Sequence, residues 1–239
     1  AGGHGAANII KALAESVNTY FYYLALDDFA GHQGLGLERL LKYFQAFGLG
    51  QALGLDLRGE RSGFLPNPKW KEQVKNEAWY PGDTLHLVIG QGDLLVTPLQ
   101  VAAFTMAVAN GGTLFKPELL EEIIAVNTGE RQIVKPEILN QGLAPSADLR
   151  IVAEGMRAAV LWGSAKSLAG SSLAIAGKTG TAEVGGQKQP HAWFTSFAPY
   201  ESSELVLTVL VENGGEGSSA AVPIARDVWQ WYYENRYKK

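Results

Sequence analysis

From Ala7 to Phe29 the apolar positions Ile9, Ile10, Leu13, Ala14, Val17, Phe21, Leu24 and Ala25 recur with a helical period. The period is interrupted at Ser16-Val-Asn-Thr19, residue types that bond to local backbone and favour helix caps over interiors. The pattern therefore predicts one helix ending and another starting at this point. A second amphipathic stretch lies between Gly34 and Gly48, around Leu37, Leu40, Leu41, Phe44 and Phe47, and is stopped by glycine. Gly54 to Gly82 is rich in glycine, proline and charge, and reads as a long ordered loop with a short helix, anchored by Trp70 and Trp79. Gly90-Gln-Gly92 is a turn signal. Thr97-Pro98 then opens a helix over Leu99–Ala109, with proline in its first turn.

Leu114 to Gln141 alternates in short runs about the turn Asn127-Thr-Gly129, the pattern of a peripheral hairpin. Ser146 is read as the cap of a helix reaching about Trp162, and Ser164 to Gly170 as the link to an apolar strand, Ala174–Val184. His191–Tyr200 and Glu204–Asn213 follow as two more runs between polar turns, so three consecutive antiparallel strands are expected. Ala220–Tyr237 closes the chain as an amphipathic helix with an aromatic face of Trp229, Tyr232 and Tyr233. Helices first, antiparallel strands last and one closing helix make an α+β fold. A helical part, about 1–170, packs on the sheet of a strand-rich part, about 171–239.

Composition narrows the function. The 239 residues suffice for a substantial core, and a hydrophobic fraction of 46% is that of a globular protein. Net charge is −4 with no basic block, which argues against nucleic acid or an anionic membrane surface as partner. The basic end Arg236-Tyr-Lys-Lys239 reads as a solvated terminus. No cysteine is present, so disulfides, thiol catalysis and cysteine-built zinc sites are excluded. No run approaches the length of a membrane span, and Ala1-Gly-Gly-His-Gly5 is not a signal peptide. The chain opens in what reads as a loop, as a piece of something longer would.

The candidate chemistry lies at two distant points. Lys178-Thr179-Gly180 places a cation and a hydroxyl before a glycine on an apolar strand, which suits a site that binds a carboxylate and lets a ligand backbone approach a sheet edge. Ser16-Val17-Asn18 lies 162 residues earlier, at the expected helix break. Each has a plainer reading: Ser16 and Asn18 as helix caps, Lys178 as a charge protecting a sheet edge. His191 reads as structural, His4, His32 and His86 as loop residues, and no histidine–carboxylate spacing suits a metal. Trp193, Trp229 and Trp231 are assigned to packing. No cofactor is implied.

Ser-x-x-Lys, Ser-Asp-Asn and Lys-Thr-Gly together mark serine β-lactamases and penicillin-binding proteins. Two of the three stand here, with Val17 at the Asp position, and no serine is followed by lysine three residues on. The wider pattern is more specific. In order, Gly3-His-Gly5, Ser16-Val-Asn-Thr-Tyr-Phe-Tyr22, Gly54-Leu-Asp-Leu57, Glu60-Arg-Ser-Gly63, Trp79-Tyr-Pro-Gly-Asp83, Gly90-Gln-Gly92, Thr97-Pro-Leu-Gln100, Gly177-Lys-Thr-Gly-Thr-Ala182 and His191-Ala-Trp-Phe-Thr195 span nearly the whole chain. They resemble the transpeptidase domain of class B penicillin-binding proteins, in the elongation-type penicillin-binding protein 2 pattern.

That resemblance implies a penicillin-binding protein or serine β-lactamase-like fold, incomplete at its N-terminus, with residues 1–239 as the C-terminal portion of a single transpeptidase domain. It implies a five-stranded antiparallel sheet of which this chain holds three neighbouring strands. The activity implied is D,D-transpeptidation of peptidoglycan stem peptides through an acyl-serine, with β-lactam binding. Ser16 would relay a proton, Asn18 would orient the nucleophile and substrate amide, and Lys178 would favour the substrate carboxylate. Thr179 and Thr181 would bind that carboxylate, Gly180 would admit the ligand backbone, and the Thr181 N–H would be an oxyanion donor. The nucleophile would lie before Ala1, so this chain alone would be inactive. Its own N-terminal segment and a membrane glycosyltransferase are the implied protein partners, at the extracytoplasmic face of the bacterial membrane. A β-lactamase, a β-lactam sensor and a non-catalytic interaction module of the same fold remain as alternatives. The 162-residue spacing suits penicillin-binding proteins better than the more compact β-lactamases.

Overall fold

The computed structural model describes residues 4–27, 31–186 and 188–238. Gly3, Phe29 and Lys239, each part of a stretch considered above, lie outside them. Helix α1, Ile9–Glu15, is capped by the Asn8 side chain, which accepts from the Lys11 N–H; it ends at Ser16, and α2, Asn18–Ala25, begins after Val17. The expected break is therefore present. Helix α3 covers Gly36–Ala46, and α4, Pro68–Trp70, runs on as a π turn, Lys71–Lys75. A helix not expected from the pattern, α5, covers Pro81–Val88, so His86 is helical and not a loop residue. Its start is held by Asp83, whose carboxylate accepts from the Tyr80 N–H at 2.7 Å and from Lys71 Nζ at 2.8 and 2.9 Å. Burial raises the Asp83 pKa, but these bonds outweigh it and hold the carboxyl below its ordinary value.

Helix α6, Pro98–Ala109, has Thr97 as its cap and Gln100 completing a capping box. Buried Gln100 also donates to the carbonyls of Gln51 and Ser62, at 2.9 and 2.8 Å, so the helix start organises the loops before it. Glu60 does the same nearby, accepting from the N–H groups of Leu53, Gly54 and Leu55. Strands β1, Thr113–Phe115, and β4, Ile138–Gln141, pair with each other; β2, Glu122–Ile124, and β3, Arg131–Ile133, form a hairpin beyond them. This is the peripheral arm expected, and Val126 and Ile133 on it are exposed.

Helix α7, Ser146–Leu161, starts at Ser146 itself, with Pro145 at the cap position; the serine is not the cap. It packs along α1 through small residues: Ala14, Ala158 and Ala159 are buried together, and a Cβ on Gly155 would lie 2.6 Å from the Leu13 side chain. A short 3₁₀ turn, Lys166–Leu168, leads to the sheet. That sheet is antiparallel, in the order β5, Ala176–Ala182; β6, His191–Ala198; β7, Leu205–Val211. Helix α8, Gly217–Tyr232, continues as a π turn, Tyr233–Tyr237.

Strand alternation gives the sheet two covered faces. On one, Ala192 and Phe194 meet Ala221, Val222, Ala225 and Trp229 of α8. On the other, Ala176 and Phe197 meet Met156 of α7 and the end of α6. Trp229 is buried as expected, but Trp231 is 55% exposed on the opposite side of α8 and packs in no core.

Candidate active site

The two motifs separated by 162 residues meet in space. Lys178 Nζ donates to Ser16 Oγ at 2.9 Å and to the Thr179 carbonyl at 2.7 Å. Ser16 reaches the lysine because of how α1 ends: the serine sits in the left-handed region, at φ 57° and ψ 52°, and its N–H bonds back to the Ala12 carbonyl. A residue with a Cβ is strained there, and such strain gathers at functional positions. Asn18 stands exposed at the head of α2, one residue past the buried Val17.

What holds the motifs together is a loop the sequence did not single out. After α7 the chain turns through Gly163, and the Ser164 N–H donates to the Ala14 carbonyl at 2.9 Å. The Ser164 hydroxyl bonds the Thr179 hydroxyl at 2.7 Å. One residue thus grips the end of α1 with its backbone and the lysine strand with its side chain. A Cβ on Gly163 would overlap the Ala14 carbonyl oxygen, so only glycine lets the chain pass this close.

Lys178 is half-buried, and burial pulls its pKa down to about 8. Its cross-strand partner is Thr195, whose hydroxyl bonds Thr208 at 2.9 Å and Thr105 of α6 at 2.8 Å. This threonine chain ends on the Val101 carbonyl, which Thr105 reaches at 2.7 Å, so the polar groups beneath the lysine are satisfied. Gly180 pairs with Trp193, and a Cβ there would meet Trp193 Cβ at 3.1 Å. Thr181 is exposed; its hydroxyl faces the Gly217 N–H at 3.4 Å. His191 is structural, accepting through Nδ1 from the Asn213 N–H at 2.9 Å.

Alongside β5 runs an open cleft of about 770 Å³. The sheet side carries Lys178, Thr179, Thr181 and Thr195 with Trp193 beside them; the apolar wall is Leu49, Val101 and Phe104. An extended ligand laid in it would find a sheet edge, a cation and several hydroxyls. No group of metal-binding side chains occurs among the described residues.

The family model for the penicillin-binding protein transpeptidase domain matches residues 1–230. The chain belongs to the penicillin-binding protein transpeptidase family. It is 35% identical to the peptidoglycan D,D-transpeptidase MrdA of Haemophilus influenzae, over 98% of this chain and 37% of that protein. Among solved structures it resembles the penicillin-binding protein 2 of a complex with MreC from Helicobacter pylori, with 35% identity, a TM-score of 0.80, and coverage of 98% of this chain and 41% of that one. It also resembles a chain of a peptidoglycan synthase complex that coordinates polymerization and crosslinking, at 32% identity and a TM-score of 0.78, covering 96% of this chain and 38% of that one. The chain spans about two fifths of the length of these relatives. Among its described residues, no helix is long and apolar enough to cross a membrane.

Proposed function

We propose that this chain is the C-terminal portion of a single D,D-transpeptidase domain that cross-links peptidoglycan stem peptides through an acyl-serine and binds β-lactams. The observation that carries this reading is the 2.9 Å bond between Lys178 Nζ and Ser16 Oγ, at the edge of a strand beside an open cleft. In this reaction a serine oxygen attacks the carbonyl of the penultimate D-Ala, and the C–N bond to the last D-Ala breaks. Ser16 hands a proton to the departing nitrogen, and an amine of a neighbouring strand then displaces the serine. Lys178 polarises the Ser16 hydroxyl and attracts the terminal carboxylate, which the Thr179 and Thr181 hydroxyls hold. The Thr181 N–H faces the developing oxyanion, and Asn18 orients the substrate amide.

The nucleophile is supplied by a segment N-terminal to Ala1, because no serine of this chain has a lysine three residues on. On this reading the 239 residues alone are inactive. The complete protein works at the extracytoplasmic face of the bacterial membrane beside a glycosyltransferase, a reading supported by the relative in a synthase complex.

The test is covalent labelling of the full-length protein by a fluorescent penicillin. Lys178→Ala is expected to slow labelling by about 10²-fold or more. With a pKa near 8, Lys178 loses its charge as pH rises through that value, so the labelling rate should fall on the alkaline side from about pH 8. Equal labelling of the variant would remove Lys178 from the site. A mass increase of one penicillin on the isolated 239 residues would reveal a nucleophile within them, and an unlabelled full-length protein would favour a non-catalytic module.

A further inference from the structure

Gln91 lies in the turn Gly90-Gln-Gly92, outside the site residues considered so far. Helix α5 ends there in a Schellman motif: the Gly90 N–H bonds the Leu87 carbonyl at 3.0 Å and the Gln91 N–H bonds the His86 carbonyl at 2.9 Å. Gly90 takes the required positive φ of 76°. The Gln91 backbone is therefore pinned, and its side chain reaches β5. Its Nε2 donates to the Thr181 carbonyl at 2.9 Å and its Oε1 accepts from the Glu183 N–H at 3.2 Å. One amide group satisfies an outward carbonyl and the next outward N–H, the two groups that an added strand would pair with at this point.

Because Thr181 and Glu183 point outward, strand alternation turns Thr179 outward too, while Lys178, Gly180 and Ala182 face β6. The Thr179 carbonyl is taken by Lys178 Nζ at 2.7 Å. At Thr179 and Thr181 the outer edge of β5 thus has its carbonyls capped by donors of the protein itself, and offers the N–H groups of the same two residues to the cleft. Such an edge favours an anionic, acceptor-rich end of a ligand over open-ended pairing with any extended chain.

We propose that Gln91 sets the register of the bound peptide by closing the edge of β5 beyond Thr181, as a positioning residue that discriminates between stem peptides by their length. This inference rests on the transpeptidase reading above. With the carboxylate at Thr179 and Thr181 and the scissile carbonyl at the Thr181 N–H, the peptide residues preceding the scissile bond run toward Glu183. There they compete with the Gln91 amide for the same backbone groups. An acylated D-Ala-D-Ala dipeptide meets this competition only at the Thr181 carbonyl, through its penultimate N–H, whereas a stem pentapeptide also reaches the Glu183 N–H.

The experiment measures release of D-Ala by the full-length protein from an N-acetylated D-Ala-D-Ala dipeptide and from a stem pentapeptide, with penicillin labelling alongside. Gln91→Ala should raise the ratio of kcat/KM for pentapeptide over dipeptide by about three- to tenfold, the worth of about one net hydrogen bond. Gln91→Glu, similar in shape, loses the bond to the Thr181 carbonyl but keeps an acceptor for the Glu183 N–H, so it should raise kcat/KM for both substrates and leave the ratio near the wild-type value; melting curves of both variants verify folding. If labelling persists and the ratio in Gln91→Ala stays at the wild-type value, or that variant slows both substrates equally, Gln91 is a structural strut and the inference fails alone. If the wild-type protein is not labelled, the transpeptidase reading fails and this inference with it.

Discussion

Ser16 shows how much a single residue carries. Its left-handed backbone, φ 57°, is the conformation glycine adopts without cost, yet a serine occupies it and turns its hydroxyl to Lys178. Ser16→Gly should therefore raise stability by roughly 0.5–1 kcal/mol, from relieved strain offset by glycine's entropy in the unfolded chain, while penicillin labelling of the full-length protein drops. Thermal melting and labelling measured on the same preparation check this; a lower melting temperature would show that the hydroxyl contributes more to the fold than the strain costs. Ser16, Asn18 and Lys178 could be named from the sequence as candidates because motif residues keep their spacing. Ser164 and Gln91 were not, since a polar side chain in a loop shows nothing of its function until its partners, Thr179, Thr181 and Glu183, are in place.

At the scale of elements, the site depends on how α1 and the end of α7 approach one another. Gly163 is the point of closest passage, against backbone that cannot move without drawing Ser16 away from Lys178. Gly163→Ala should cost about 1–3 kcal/mol through overpacking, and labelling of the remaining folded protein should slow as well. Unfolding by denaturant, with labelling assayed well below the transition, separates the two effects; unchanged labelling would mean that Ser164 alone sets the geometry. Elements with a clean period, α1, α6, α7 and the strands β5 to β7, were readable from the chain. Helix α5 was not, because Gly82 after Pro81 looks like loop and the compensating bond, which Lys71 donates to Asp83, joins positions twelve residues apart.

For the whole molecule, the sheet sets the balance. Among the described residues strand β7 pairs only with β6, on one side, and its residues contribute to both faces: Leu207 and Val209 toward α8, Val206 toward α7. An edge strand apolar on both faces is a template for association, and the apolar wall of the cleft and the exposed arm at Val126 add to it. Expressed by themselves, the 239 residues should be poorly soluble or run as oligomers. They should become well ordered when the N-terminal portion of the parent protein is supplied as a second polypeptide. Size-exclusion chromatography with intact-mass analysis decides this, and a stable 25.7 kDa monomer would show that the edge is protected in some other way.

The local pattern of the chain by itself determined the α+β order, the break at Ser16 and the three antiparallel strands, and marked Lys178 as a candidate, because each is local: a period, a cap or a motif is complete within a short stretch. Tertiary structure alone decided that Ser16 and Lys178 touch, that Ser164 joins their elements, that burial lowers the lysine to about 8 and that Gln91 closes the strand edge. Each of these is a relation between residues far apart in sequence. Such a relation exists only once packing against α6, α7 and α8 has fixed the sheet in place, and no local pattern of the chain encodes it.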